Sequence, residues 1–348
     1  TKGDRNIAIG SQALSAQNFT SSTDSYNTAV GYNSGLAVTT GVNNTIIGGL
    51  AGDSITTGSQ NTALGRSALG ANTTASNNTA IGQNSMASNT TGTSNTALGF
   101  RSLDANTTAH NNTAIGYDAL TTNTTGTANT AVGQGALELN STADNNTAVG
   151  KDALTTNGTG TSNVAVGAFA LDANDGGSFN TGVGHHALGA NVNGTQNTAV
   201  GYAAGLGIDG SSGGNVAIGD ETMQVSGTKT NNTAVGSDAM RLTTTGSNNT
   251  AQGAFALDAN TTGDSNVALG KSALGANTTA NNNTAVGTEA LLVNTTGASN
   301  VAVGSFALDA NTTASSNTAI GHGSLTANTT GADNTAVGRS ALDANTTA

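Results

Sequence analysis

The 348-residue sequence contains no cysteine, no proline and no tryptophan. Charged residues make up 8% of it and aromatic residues 3%, whereas a typical soluble domain is about 25% charged. The absence of cysteine excludes disulfides and thiol chemistry. Because much of the apolar 35% is alanine, which buries little surface per residue, we do not expect a conventional large hydrophobic core.

Several classes of protein find no support in this composition. The net charge is −11 and the nine basic residues form no cluster, so we expect no nucleic-acid partner. No apolar run approaches the roughly 20 residues of a membrane span, and no stretch of these residues has a signal-peptide pattern, so we expect no membrane span in this segment. Low hydrophobicity also fits a disordered chain, but disorder requires no period, and the apolar residues here are strictly periodic.

The sequence does contain a short repeat. A five-residue unit that begins with Asn and ends with Gly occurs twenty times, in steps of 17 residues except for 21 after Asn6 and 18 after Asn197. With this Asn as position 1, the consensus is N-T-A-V-G-x-x-A-L-x-A-N-T-T-G-x-x. We predict one continuous array over residues 1–348, with an irregular first coil at 1–26, regular coils over 27–348 and a one-residue insertion between Asn197 and Asn215. We expect this array to be a segment of a longer fibre.

Seventeen residues are too few for the helix pairs of common α-repeats and suit one turn of a β-solenoid. The pattern predicts an all-β, parallel β-roll of about twenty coils. Each coil would have a strand at positions 1–5, a second short strand at positions 8–11 and an N-T-T-G turn. Glycine at position 5 permits a tight bend, and stacking would align Asn at positions 1 and 12 into ladders.

The two-residue period of a strand predicts which side chains share a face. We expect the β-branched residues at positions 2 and 4 to point inward, against leucine at position 9. Alanine at positions 3 and 8 would then point outward and form a flat surface suited to the close approach of another chain. The sequence therefore predicts an oligomer assembled side by side.

Three copies of the repeat carry a family resemblance most clearly: N-I-A-I-G at 6–10 and N-V-A-V-G at 163–167 and 300–304. The chain resembles, over essentially its whole length, the head repeats of YadA-like trimeric autotransporter adhesins, and it is similar to related phage tail-fibre repeats. The resemblance implies a left-handed parallel β-roll that assembles as a side-by-side homotrimer. The unit here is a few residues longer than is common in that family, and we expect the N-T-T-G turn to hold the extra residues.

Signatures of catalysis are thin. There is no H-E-x-x-H motif, so we predict no catalytic, cofactor-binding or metal-binding residue and expect a protein that is not an enzyme. Aspartates recur at position 10, but the calcium motif G-G-x-G-x-D is absent, which favours solvated carboxylates. The N-x-T sequons, as at Asn72 and Asn123, could be glycosylated in a eukaryotic secretory route, and we prefer to interpret them as turn chemistry.

The most variable positions of the repeat are 6 and 7, which hold aromatic, basic and histidine residues. Drift at an exposed turn explains such variety, and the functional alternative is a lateral strip for glycan or protein contact. His185 and His186 are expected to be solvated, with a metal or anion site between symmetry-related copies as the alternative. The candidate contact residues are Tyr32, Phe100, Arg101, Tyr117, Phe169, His185, His186, Tyr202, Phe255 and Phe306.

The leading hypothesis is an extracellular structural and adhesive fibre segment, at a bacterial cell surface or in a virion tail fibre. Its partners would be two further copies of itself and a host-surface glycan or protein receptor. The alternative is an ice-binding β-solenoid, because Thr recurs in columns at positions 2, 13 and 14. The inward direction expected at position 2 argues against ice binding. A glycan-cleaving enzyme would need paired acids in a cleft, which a narrow uniform solenoid does not offer.

Overall fold

The computed structural model describes residues 3–347, which form two compact units that meet in sequence at Gly176 and Gly177. Each unit is a parallel β-solenoid in which nearly every coil of about 17 residues contributes one three-residue strand. The all-β, parallel-solenoid prediction is therefore confirmed. Within the described residues there is no helix, and hence none that could cross a membrane.

The first unit contains two short strands of two residues among its regular three-residue strands. Its strands are β1 (Gly3–Asp4), β2 (Ile7–Ile9), β3 (Thr23–Asp24), β4 (Thr28–Val30), β5 (Thr45–Ile47), β6 (Thr62–Leu64), β7 (Thr79–Ile81), β8 (Thr96–Leu98), β9 (Thr113–Ile115), β10 (Thr130–Val132), β11 (Thr147–Val149) and β12 (Val164–Val166). β1 pairs with β3, and β2 pairs with β4. From β4 to β12 each strand pairs in parallel with the next, so that Thr113 lies beside Thr130.

The second unit is built in the same way. Its strands are β13 (Thr181–Val183), β14 (Thr198–Val200), β15 (Val216–Ile218), β16 (Thr233–Val235), β17 (Thr250–Gln252), β18 (Val267–Leu269), β19 (Thr284–Val286), β20 (Val301–Val303), β21 (Thr318–Ile320) and β22 (Thr335–Val337). Equivalent positions again pair across neighbouring coils, as Ala251 does with Ala268. Stacked coils thus place each residue of the repeat above its equivalent.

The second strand expected at positions 8–11 does not form, and that prediction was wrong. Positions 6–12 make consecutive turns, as where the N–H of Ala119 donates to the carbonyl of Gly116. Leu120, at position 9, has a φ of 53°, in the left-handed region. Its N–H still reaches the next coil and donates to Ala136 at 2.9 Å. A left-handed leucine costs roughly 1–2 kcal/mol, so the sequence gives no hint of this conformation.

The strand side chains also point the opposite way from the prediction. Alanine at position 3, such as Ala114, is fully buried, and so is alanine at position 8, such as Ala119. Thr113 and Ile115, at positions 2 and 4, are only partly covered and lie on the outer face. In a regular coil the inner space must hold leucine at position 9 and two asparagines, so it leaves room only for alanine from the strand. The larger Ile46 is buried at position 3 where its neighbours at position 9, Gly35 and Gly52, have no side chain.

Three coils confirm that this inner volume is tightly fixed. Where position 9 is glycine instead of leucine, position 12 changes from asparagine to valine or isoleucine. Gly52 and Ile55 are such a pair, and a Cβ added to Gly52 would lie 2.8 Å from Cδ1 of Ile55. The isoleucine therefore occupies the space that leucine fills in a regular coil. The other two pairs are Gly35 with Val38 and Gly205 with Ile208.

Glycine at position 5 is required by the approach of the next coil as well as by its bend. Gly65 has a φ of 136°, which L side chains rarely adopt. A Cβ built on it would lie 2.6 Å from the carbonyl oxygen of Gly82 in the following coil. The positive φ is present in all twenty copies, including Gly338, and the close approach recurs in most coils that another coil follows, which explains why every copy keeps this glycine.

The two predicted asparagine ladders are present. At position 1, the amide nitrogen of Asn112 donates to the carbonyl of Gly126 at 2.8 Å, across its own coil. At position 12, the amide nitrogen of Asn140 donates to the side-chain oxygen of Asn123 at 2.9 Å. Asn72 and Asn123, which belong to N-x-T sequons, are fully buried in this second ladder, so the folded chain does not present them for glycosylation.

Candidate binding surfaces

The outer face of each sheet carries two columns of exposed or half-exposed side chains. Position 2 is threonine in most copies and otherwise valine or isoleucine, and position 4 is valine, isoleucine or leucine in every copy except Gln252. Leu98 is 44% exposed in the first unit and Ile320 is 40% exposed in the second. No charged residue occurs in either column. Within each unit, we call these two columns the outer sheet face.

Sequence reasoning missed the outer sheet face because it assigned the larger apolar residues to the interior. A signal that distinguishes the faces is present in the repeat. Position 3 is alanine in all copies but two, as a narrow interior requires, whereas positions 2 and 4 exchange Thr with Val and Val with Ile or Leu. Such freedom in size is typical of a surface that the fold itself does not pack.

The corner formed by positions 6 and 7 carries the residues that the sequence singled out for lateral contacts. In the first unit, Phe100 and Tyr117 lie in neighbouring coils with their rings stacked, 5.3 Å between centroids and 15° between planes. Arg101 lies beside them, and its Nε is 3.8 Å from Asp104 and 3.7 Å from Asp118. The structure thus brings three of the predicted residues into one cluster.

Two further candidates in the first unit lie away from this cluster. Lys151 places its Nζ 5.1 Å from the ring centroid of Phe169, within cation–π range. Tyr32, nearer the start of the unit, is 60% exposed. These residues occupy the same corner as the Phe100 cluster without forming one site with it.

In the second unit the corner holds a histidine–tyrosine group. The rings of His185 and Tyr202 are stacked, with centroids 5.7 Å apart, and the rings of His186 and His185 are T-shaped, with centroids 4.4 Å apart. The rings of Phe306 and His322 are also T-shaped, with centroids 5.8 Å apart, and Phe255 is an exposed side chain in another coil. Among residues 3–347, no three His, Asp or Glu side chains come close enough together to hold a metal ion.

The corner stacks limit what these aromatic rings can do. Because the Phe100 and Tyr117 rings are nearly parallel and lie one above the other, each covers one face of its partner. Ring edges and the tyrosine hydroxyl then remain for a ligand approaching from the side.

The nearby Asp104 is half-buried, and desolvation raises the pKa of its carboxyl while the charge of Arg101 opposes that rise.

One buried charge lies in the coil that begins at Asn215. Lys229 occupies position 15, where most copies have glycine or alanine, and its side chain is fully buried. Its Nζ donates to the carbonyl of Val225 at 2.7 Å. Burial lowers the pKa of this amine to about 8, and the charge of Asp209 partly opposes the shift.

The sequence of this chain matches no protein-family model and no curated protein.

Proposed function

We propose that the chain is a structural and adhesive fibre segment, in which three copies pack side by side through their outer sheet faces. The observation that carries this proposal is the unbroken absence of charge from two outward columns in a protein with a net charge of −11. Exposed apolar columns of this extent are typical of surfaces that bind another protein.

The energetics favour a partner that follows the whole face. Fully burying a valine, leucine or isoleucine side chain contributes about 1.5–3 kcal/mol, so covering a half-exposed one contributes about 1 kcal/mol. One coil is therefore a weak contact, and many coils in line make a strong one. A second copy of the chain has the same spacing between coils, which a partner of irregular shape would lack.

The alanine contact that the sequence predicted between copies is not available, because those alanines are buried inside each coil. The proposal of a homotrimer therefore rests on the Thr and Val, Ile or Leu columns instead. The setting we propose is extracellular, as part of a bacterial adhesin or a phage tail fibre, with the corner residues of positions 6 and 7 as the contacts to a host glycan or protein.

Sedimentation equilibrium tests the assembly. We expect the wild-type chain to have three times its 33.6 kDa mass. A variant with Val149→Glu and Val166→Glu, both on the outer sheet face, should remain a folded monomer, because association would bury four or more unpaired charges. The matched control, Thr125→Glu with Thr142→Glu, adds the same charge at exposed sites away from that face and should stay trimeric. A monomeric wild type would contradict the proposal.

Adhesion by the corner requires its own experiment. The wild-type protein and a variant with Phe100→Ser and Tyr117→Ser would be compared on a glycan array and on a panel of host cells. We expect the double variant to keep the trimeric mass and to lose binding that the wild type shows. Equal binding by the two proteins would remove this cluster from the adhesive surface.

A second candidate function is ice binding, and one observation favours it. Threonine at position 2 points outward and not inward, which removes the argument that the sequence made against an ordered threonine face. Successive threonines within the column are spaced by the strand separation of about 4.8 Å. Thermal hysteresis measured on the wild type and on a Thr113→Lys, Thr130→Lys variant decides the matter. Hysteresis that the lysines abolish would support ice binding, and its absence would leave the fibre proposal alone.

A further inference from the structure

The outer sheet face creates a problem of register for any assembly that uses it, including the trimer of the proposed function, on which this inference rests. Equivalent side chains recur at every coil, so a chain shifted by one coil against its partner meets nearly the same surface. The shift loses only the overlap of one coil at the end. A fibre with defined ends therefore needs a residue that distinguishes one coil from the next.

The irregular steps of the repeat do not supply that distinction. The extra residue after Asn197 is accommodated outside the strand, because Thr198 still pairs with Val216 and Val200 with Ile218. The longer first step is likewise absent from the sheet, where Ile7 pairs directly with Thr28. Exchanges of threonine and valine at position 2 hardly alter the shape of the face.

Gln252 is the one place where position 4 changes its chemistry. It ends β17, pairs with Val235 on one side and Leu269 on the other, and is exposed. The alanine before it, Ala251, is buried as in regular coils, so the strand keeps its usual orientation. An amide therefore projects from a column that is otherwise aliphatic.

We propose that Gln252 fixes the register of the assembled chains. When the copies are in register, their Gln252 side chains lie at one level, and each amide offers both a donor and an acceptor to the others. A shift of one coil places the amide against Val235 or Leu269 of the partner subunit and leaves it unpaired in an apolar interface. A single polar residue fixes register in coiled coils by the same physics.

The test uses a chain whose amide is moved by one coil, with Gln252→Val and Val235→Gln. This shifted chain would be denatured and refolded together with mass-tagged wild type, and the oligomers counted by native mass spectrometry. The matched control is tagged wild type refolded with untagged wild type. We expect binomial mixing in the control and mixed oligomers depleted about tenfold with the shifted chain, since a mixed oligomer either leaves an amide unpaired or slides one chain by a coil and loses the contacts of its end coil.

The outcomes separate this inference from the proposed function. Binomial mixing of the shifted chain with wild type would overturn the role of Gln252 and leave the fibre proposal standing. A wild-type chain that does not associate would overturn the fibre proposal itself, on which the role of Gln252 rests. If circular dichroism shows that the shifted chain does not fold, Gln252→Val alone is refolded with wild type. Depletion of mixed oligomers is again expected, and binomial mixing again contradicts the role.

Discussion

The backbone N–H of Asn129 donates to the side-chain oxygen of Asn112 at 2.9 Å, so the side chain of one coil completes the hydrogen bonding of the next. Both residues are buried. The same contact recurs between Asn129 and Asn146 at 2.9 Å. The ladder at position 1 thus acts as a bond between coils at the point where each strand begins.

Asn112→Ala should therefore weaken the join between two coils. It leaves the buried N–H of Asn129 without its partner and removes one of the two donors to the carbonyl of Gly126, which still accepts from Asn123 at 2.9 Å, at a cost of about 1–3 kcal/mol. Hydrogen exchange of the amides in the flanking coils measures this, because the opening is local in a repeat protein. Thr125→Ala, at an exposed site, is the control. Equal protection in the two variants would contradict the structural role of the ladder.

Gly65→Ala should be severely destabilising, whereas Gly70→Ala in the same coil should be tolerated. The first combines a φ of 136° with a carbonyl oxygen 2.6 Å from the new Cβ. At Gly70 the nearest atom is 3.3 Å away and the next coil carries Ala87 at that position. We expect a loss of several kcal/mol against less than about 1 kcal/mol, read from urea unfolding. Similar midpoints would show that the coils can separate locally at little cost.

Gly205→Leu and Ile208→Asn should compensate for each other. Alone, the leucine overpacks a space that Ile208 already fills, since a Cβ on Gly205 would lie 3.0 Å from Cδ1 of Ile208, and the asparagine alone leaves a cavity, so each single change should cost about 1–3 kcal/mol or more. Together they recreate the leucine and asparagine of a regular coil, in which position 3 is alanine as Ala199 is here. A double-mutant cycle measures the coupling. Strict additivity of the two losses would contradict the shared inner volume.

Lys229→Met should stabilise the protein at neutral pH and remove a pH dependence. Below its folded pKa of about 8 the lysine is charged in both states, and the folded state bears the full cost of burying it. Between about pH 8 and 10.5 the unfolded chain holds the extra proton, so stability rises with pH, by about 3 kcal/mol in all. Urea unfolding at pH 7 and 9.5 tests this, with exposed Lys271→Met as the control. A wild-type stability that is flat with pH would contradict the assignment.

Much of the architecture could be predicted from the sequence, because the constant positions of the repeat are those where the backbone requires one residue type. Asn112 and Gly116 occupy positions that tolerate no exchange, and each has one structural role that its chemistry reveals. The parallel, in-register stacking follows from the constant step between coils. For the same reason the asparagines of the N-x-T sequons, such as Asn123, could be predicted to have a structural role in the turn and the ladder.

The direction of the strand faces was predicted wrongly, because alternation in T-A-V by itself fits either orientation and only the near-constant alanine at position 3 marks the narrow interior. The usual expectation that larger apolar side chains are buried failed at Ile115, since the coil is too narrow to hold them. The turns at positions 6–12 escaped detection because Leu120 adopts a conformation that leucine disfavours. Lys229 could not be recognised as buried, since lysine in a glycine-rich loop is ordinarily solvated.

Because equivalent residues stack from coil to coil, the gene can change in length by whole coils. Loss or duplication of seventeen codons removes or adds one whole coil and rejoins identical neighbours, as the pairing of Thr113 with Thr130 shows for the existing chain. A deletion in the strand that is not a whole multiple of seventeen codons would shift later side chains out of their columns. Recombination between copies can therefore lengthen or shorten the protein in discrete steps, with Gln252 as the marker that keeps chains of equal length aligned.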